Sequence, residues 1–369
     1  HTVLIVTTNV ENGSSNLPGV LHCPSVKLKR IYGYGLSMPV NVKQFNAIKR
    51  FNPHIIHIHT EFGVGLFGVM TAKMLKKPVV YTLHTIYDDY VYYVLPKIFV
   101  KTGQTLFYKY IKLLAKKADI ITGPSEKSHE YLKNAGMNRH IEIIPNPVDI
   151  DKFKRENVNF SDILNLKKQY NIPSDAFIGC VIARIGREKS IDILLRYIKK
   201  YIKENDNFYF FIVGDGPSKE ELEALANELN ISDKVIFTGK ILNQDLLPYY
   251  ALADVFITAS LSDTNSISML EAMSMGLPIL QRYDEINKDQ IIEGENGFTF
   301  SGSEEFIEKL NLIYNMNENE KNQLQEKVRN CVIRKNSKLA TAQKVLNAYK
   351  RANYKRKSKK FYRNLLKKG

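Results

Sequence analysis

Short runs of β-branched and aromatic residues alternate with stretches of helical periodicity along almost the whole chain, and that alternation leaves few architectures open. Strands joined through helices pair in parallel, so a βαβα order predicts parallel sheets covered by helices. The strand candidates fall in two series. The first comprises Val3–Thr8, Ile55–His59, Val79–His84, Ile120–Pro124 and Ile141–Pro145. The second comprises Ile178–Ala183, Phe208–Gly214, Val235–Gly239, Val255–Ala259 and Pro278–Leu280. Between them lie amphipathic stretches such as Ile191–Ile202, where Ile191, Leu194, Leu195, Ile198, Tyr201 and Ile202 keep i, i+3, i+4, i+7 spacing. The series meet near Asn146–Ser174, and 369 residues suffice for two cores. The expected fold class is α/β, with two Rossmann-like domains facing one cleft. They cover residues 1–150 and 151–336, followed by a C-terminal helix and basic tail over 337–369.

Charge is unevenly placed along this order. Of the net +15, residues 1–150 carry 18 Lys and Arg against 9 Asp and Glu, residues 151–350 carry 26 against 29, and residues 351–369 carry 9 against none. A basic domain and tail imply an anionic partner for those parts, nucleic acid or anionic lipid, and charge alone does not choose. The helical pattern Lys97–Ala118 gathers Lys97, Lys101, Lys109, Lys112 and Lys116 within an arc of about 120°, with Phe99, Leu106, Tyr110, Leu113 and Leu114 opposite. A core-facing helix with a solvated lysine face has the same pattern. Five lysines without one acid favour a lipid-headgroup contact. In the tail, Tyr354, Phe361 and Leu365 form one stripe among the cations, a segment disordered in solution or helical on an anionic surface. No nucleic-acid-reading motif accompanies the charge, so no nucleic-acid partner is expected. No apolar run nears the roughly 20 residues of a spanning helix. Cys23, Cys180 and Cys331 are scattered, without metal-like spacing, which suits a reducing compartment. A cytoplasmic protein, peripheral on the inner face of the cell membrane, is the expectation.

Two turns carry the chemistry. Ala183-Arg184-Ile185-Gly186-Arg187-Glu188-Lys189 follows a strand and opens the Ile191–Ile202 helix. Such a turn offers backbone N–H groups and a helix dipole to a phosphate, and Arg184 and Lys189 add a planar fork and a point charge. Read alone, it is equally a surface turn with solvated charges. In the second turn Ser266 is placed to cap a helix over Ile267–Met275, ended by Gly276 and Pro278. Asp263 precedes that helix and Glu271 lies within it, two carboxylates suited to sugar and ribose hydroxyls. In the first half, His84 ends a strand, where open α/β sheets hold ligands. His54, His57 and His59 follow no metal-ligand pattern and read as structural, although His59-Thr60-Glu61 is suited to line an acceptor side.

Taken in order, these segments resemble glycosyltransferase family 4, a retaining GT-B family. The match uses Ile144-Pro145-Asn146-Pro147-Val148-Asp149, Arg184 with Lys189, Val213-Gly214-Asp215-Gly216-Pro217 and Phe237-Thr238-Gly239. It continues through Asp263, Glu271-Ala272-Met273 and Gly294-Glu295-Asn296-Gly297, and covers most of residues 50–300. His84, Thr85, Tyr87, Asp89, Tyr90 and Tyr93 keep the spacing of a segment seen in bacterial diacylglycerol glucosyltransferases. The resemblance implies that Val3–Thr8 is a second strand, the N-terminal domain lacking its first βα unit. It further implies that Arg184 and Lys189 neutralise a donor diphosphate. Glu271 would bind the ribose, Asp263 the sugar ring, and the backbone near Asn265, Ser266 and Ile267 sugar hydroxyls and phosphate. Gly214 and Ile241 would join the donor side, Ile241 with Lys240 holding the base. His84 would face the transferred sugar, with Glu61, Tyr87, Asp89 and Tyr90 on the acceptor side. Two departures bear on the sugar subsite. Asp263 stands where the family has Glu, moving the carboxylate by about 1.5 Å, and Ser266 stands where it usually has Gly.

In function, the resemblance implies retaining hexose transfer from a nucleotide sugar, a UDP-glucose or UDP-galactose, to diacylglycerol or its glycosylated form. No metal or other cofactor is expected, since Arg184 and Lys189 supply the positive charge. The alternatives are a polymer, saccharide or glycoprotein acceptor, and a non-catalytic partner subunit.

Overall fold

The computed structural model describes residues 1–8, 17–28, 34–89 and 97–365, with backbone alone at residues 27, 28, 34, 89, 97 and 359–365. Tyr90 and Tyr93 lie outside the described residues, as do the side chains of Asp89, Lys97, Phe361 and Leu365. The chain divides into two compact units, one of residues 1–144 and 342–369, the other of residues 145–341. The breaks fall a few residues from those read in the sequence.

In the first unit β1 (Ile5–Thr8) pairs in parallel with β2 (Val20–Cys23), and β3 (Ser25–Leu28) pairs antiparallel with β4 (Tyr34–Ser37). A parallel sheet comes next, with β5 (Ile56–Ile58), β6 (Val79–Thr82), β7 (Ile120–Gly123) and β8 (Glu142–Ile143) in that order. β6 and β7 are buried throughout, which is why they read as unbroken apolar runs. The C-terminal helix Lys338–Leu365 belongs to this unit from Ala342 onward, and its small residues Ala348 and Ala352 pack on Val80 and Ile120. Arg351 Nε donates to Glu142 Oε1 at 2.7 Å. The basic segment is thus helical through Leu365, with Tyr354 exposed.

The lysine-rich stretch forms a 3-10 turn, Lys97–Phe99, and then a helix, Val100–Lys117. Here the expected faces need correction. The buried stripe is Gly103, Ile111, Leu114 and Ala115, while Phe99, Leu106 and Leu113 stand exposed beside Lys101, Lys109 and Lys116. Gly103 and Ala115 permit close packing yet contribute little to an apolar count, so bulk-weighted periodicity drew the core face toward the leucines. Among the described residues no helix is long and apolar enough to cross a membrane.

The second unit holds one six-stranded parallel sheet of β9 (Phe177–Ile182), β10 (Phe208–Val213), β11 (Val235–Gly239), β12 (Val255–Thr258), β13 (Ile279–Arg282) and β14 (Gly297–Phe300). Its spatial order is β11-β10-β9-β12-β13-β14. Helix Ile191–Ile202 buries Ile191, Leu194, Leu195, Ile198 and Tyr201, the stripe its periodicity predicts. The strand order reverses between β9 and β12. In open α/β sheets the crevice outside the carboxyl ends at such a reversal is where ligands bind.

Candidate functional site

Both motif turns leave the sheet at that reversal. Arg184 and Lys189 follow β9, and Asp263, Asn265 and Ser266 follow β12. The first turn does not run straight into the helix. A 3-10 turn, Arg187–Lys189, intervenes, and Ser190 takes a left-handed φ of 51° before Ile191. Gly214 and Gly216 fix this loop from β10. A Cβ on Gly214, whose φ is 142°, would lie 1.9 Å from the Ala183 carbonyl oxygen, and one on Gly216 would lie 2.3 Å from that of Ile185. Gly214 therefore serves this loop by letting two backbones touch. Ile241 is partly buried against the core beside Gly239.

The two cations are paired. Lys189 Nζ donates to both carboxylate oxygens of Asp263, at 2.7 and 2.9 Å. Arg184 Nη2 donates to Glu188 Oε1 at 2.7 Å, and the Glu188 side chain is 1% exposed. Ser260 and Ser262 each donate Oγ to the Glu188 carbonyl at 3.3 Å, tying the two loops together.

Ser266 caps helix Ile267–Ser274, its Oγ accepting from Met269 N at 3.4 Å, so the first-turn N–H groups lie at the positive end of the dipole. Ile267 at the first turn is exposed. Asn265 is committed to the loop: its Oδ1 accepts from Asn146 N at 2.9 Å, and its carbonyl accepts from Asn146 Nδ2 at 2.8 Å. Glu271 is buried, and its Oε2 accepts from Tyr250 Oη at 2.7 Å. Burial raises the Glu271 carboxyl pKa against the opposing Tyr250 bond. Tyr250→Phe would strip that buried oxygen of its donor, and urea unfolding should report a loss of about 1–3 kcal/mol. Sequence reading missed Tyr250, Glu188 and Asn287, whose Nδ2 holds the carbonyls of Asp263 at 3.1 Å and Thr264 at 3.3 Å. No motif signals Tyr250 or Asn287, whose partners are distant in sequence or main chain, whereas Glu188 stands inside the Arg184–Lys189 turn, four residues from its partner.

In the first unit, the loops after β5 and β6 meet. His59 Nδ1 lies 2.9 Å from His84 Nε2, with the rings stacked at 5.3 Å. His57, on β5, reaches Tyr349 Oη at 2.9 Å and Thr82 Oγ1 at 2.6 Å. Burial lowers all three imidazole pKa values, His84 to about 4 and His57 to about 2, with mutual repulsion adding to the effect for these two. Glu61 is buried, its carboxylate accepting from Tyr81 Oη at 2.9 Å and from Tyr87 Oη, and Tyr110 Oη donates to its carbonyl at 2.6 Å. Glu61 and Tyr87 thus bind the two loops to each other. Among the described residues no group of three or more His, Cys, Asp or Glu is placed to hold a metal ion.

Residues 162–331 match the glycosyl transferases group 1, and residues 1–152 match Glycosyltransferase Family 4. The alpha-monoglucosyldiacylglycerol synthase of Acholeplasma laidlawii is 30% identical over 315 residues, 84% of this chain and 79% of that protein. The sulfoquinovosyl transferase of Arabidopsis thaliana is 31% identical over 275 residues, 72% of this chain and 50% of that protein. A crystal structure of an Anabaena protein in complex with UDP superposes with a TM-score of 0.72 at 17% identity, covering 94% of this chain and 99% of that one. At that identity the likeness speaks for the GT-B fold alone.

Proposed function

We propose that this chain, which belongs to glycosyltransferase family 4, moves a hexose from a UDP-sugar to a diacylglycerol-type membrane lipid with retention at the anomeric carbon. The observation carrying the donor reading is the convergence of Arg184, Lys189, Asp263, the Ile267–Ser274 helix N-terminus and Glu271 at the β9/β12 strand reversal. A diphosphate there meets two cations and helix-end N–H groups, fixed before reaction, that stabilise the charge developing on the leaving group. Glu271 presents Oε1, which among the described residues accepts no hydrogen bond, to the ribose, and Lys240-Ile241 flanks the base. In this reading the donor phosphate helps take the acceptor hydroxyl's proton, and the two cations do the work of a metal. Incubating the purified chain with UDP-glucose or UDP-galactose and diacylglycerol-containing vesicles tests it. A glycolipid whose new linkage keeps the donor's anomeric configuration supports the reading, and an inverted linkage or no lipid product overturns it.

The lipid acceptor is supported by the name of the Acholeplasma laidlawii relative and by the mixed face of helix Val100–Lys117 with the 3-10 turn before it. Ile98 is 81% exposed, Leu106 60% and Leu113 51%, interleaved with exposed Lys101, Lys109 and Lys116. Apolar insertion with lysine contact to anionic headgroups uses both residue types on one surface. A lysine near an anionic surface contributes about 1 kcal/mol, so Lys109→Gln with Lys116→Gln should weaken flotation with anionic vesicles about 30-fold. The effect should fade as salt rises. Equal flotation of variant and parent would remove this helix from the membrane contact.

A further inference from the structure

The four charged side chains around the candidate diphosphate position cancel: Arg184 with Glu188, Lys189 with Asp263. A diphosphate entering there does not find free cations. It must draw Lys189 away from a carboxylate already gripping it through both oxygens. The lysine side chain is 15% exposed and the aspartate 27%, so solvent screens their attraction only in part.

Which partner moves is decided by tethering. The Asp263 carbonyl is held by Asn287 Nδ2, and its carboxylate sits on one rotatable stem with little reach. Lys189 has a four-carbon flexible stem. The lysine therefore turns to the phosphate and leaves Asp263 behind, a largely shielded carboxylate without its counter-charge. That state is costly unless donors replace the ammonium. A bare nucleoside diphosphate brings no donors near the carboxylate. A nucleotide sugar brings hydroxyls.

We propose that Asp263 competes with the donor diphosphate for Lys189, so that the site discriminates an intact nucleotide sugar from the nucleoside diphosphate product. The inference rests on the donor-site reading and adds a function for the pair: spent nucleotide is expelled because only the sugar's hydroxyls compensate the carboxylate that Lys189 releases. It also gives the shorter Asp263 a physical part, since a carboxylate kept close to the loop holds Lys189 yet cannot follow it.

Calorimetric titration of UDP and of UDP-glucose, without acceptor, into the parent and Asp263→Asn proteins tests this. Removing the competing charge should tighten UDP about tenfold and UDP-glucose much less, so the preference for the sugar nucleotide falls. In a Lys189→Gln background the same Asp263→Asn change should tighten UDP clearly less than in the parent, because only the direct repulsion between carboxylate and diphosphate is then relieved. UDP binding to Asp263→Asn no tighter than to the parent overturns the inference while leaving the donor site standing. Failure of UDP to bind either protein overturns both. Thermal unfolding of each variant checks that it is folded, and Asp263→Ala provides a second removal of the charge should the amide perturb the loop.

Discussion

Lys189→Met is expected to lower kcat/KM by about 100- to 1,000-fold, the range found when one fixed electrostatic donor to a developing charge is lost. The change has two parts. In the proposed reading it removes the mobile cation that meets the leaving diphosphate, and it leaves the Asp263 carboxylate facing that diphosphate unpaired. The second part acts already on donor binding, so KM should rise along with the fall in kcat. Lys189→Met combined with Asp263→Asn should regain part of the KM effect and none of the kcat effect. Arg184→Ala belongs to the same class with a different side effect. It takes away the ion-pair partner of the buried Glu188 carboxylate, so stability falls together with turnover. Arg184→Lys keeps a charge but loses the planar fork, and should fall between parent and Arg184→Ala. Steady-state rates with a UDP-hexose and acceptor vesicles, read beside thermal unfolding, separate these effects. A change below about threefold in Lys189→Met would take the lysine out of the reaction.

How much of the fold and site was legible in the sequence depends on how local the cause is. Helix Ile191–Ile202 declares itself through its own periodicity, and Ser266 through the capping chemistry of the helix it begins. β9 and β10 read clearly because both faces are covered, so they are continuous apolar runs, whereas β14 was not among the strand candidates. The pairing of Lys189 with Asp263 was hidden: the two lie 74 residues apart, and only the β9/β12 adjacency brings their loops together. Knowing the motif residues gave their identity and not their mutual neutralisation. The Val100–Lys117 helix marks another limit, since small residues such as Gly103 and Ala115 govern which face packs while contributing little apolar signal. β2, β3 and β4 escaped notice because four residues are too few to establish a period, even in β3, where Ser25-Val26-Lys27-Leu28 alternates.

The histidines show the same boundary and lead to a large pH effect. Strand alternation puts His57 and His59 two residues apart on one side of β5, and the β5–β6 register, Ile58 opposite Tyr81, carries His84 to His59. At 2.9 Å two imidazole nitrogens hold one N–H between them, donated by either ring, which excludes two doubly protonated rings and leaves at least one of them neutral. Neutral imidazole is also what burial favours, and His57 is held to a pKa of about 2 against 6.5 for an ordinary histidine. The sign comes from linkage. Below pH 6.5 the unfolded chain binds a proton at His57 and the native chain does not, so acid favours unfolding until the pH nears the native value. For one histidine that stays neutral in the fold, this amounts to about 2 kcal/mol between pH 7 and pH 5. Buried Glu61 and Glu271 act in the opposite direction, their raised pKa values letting the fold take up protons first as the pH falls. Total stability therefore mixes both signs, and the clean measurement is a difference. His57→Gln should be less stable than the parent at pH 7, because the bonds to Tyr349 and Thr82 are weakened. By urea unfolding, that gap should narrow by about 2 kcal/mol at pH 5, where only the parent still opposes protonation of the imidazole. A gap that stays constant across this range would mean that native His57 titrates like a solvent-exposed histidine, and that water reaches the His57–Thr82–Tyr349 packing.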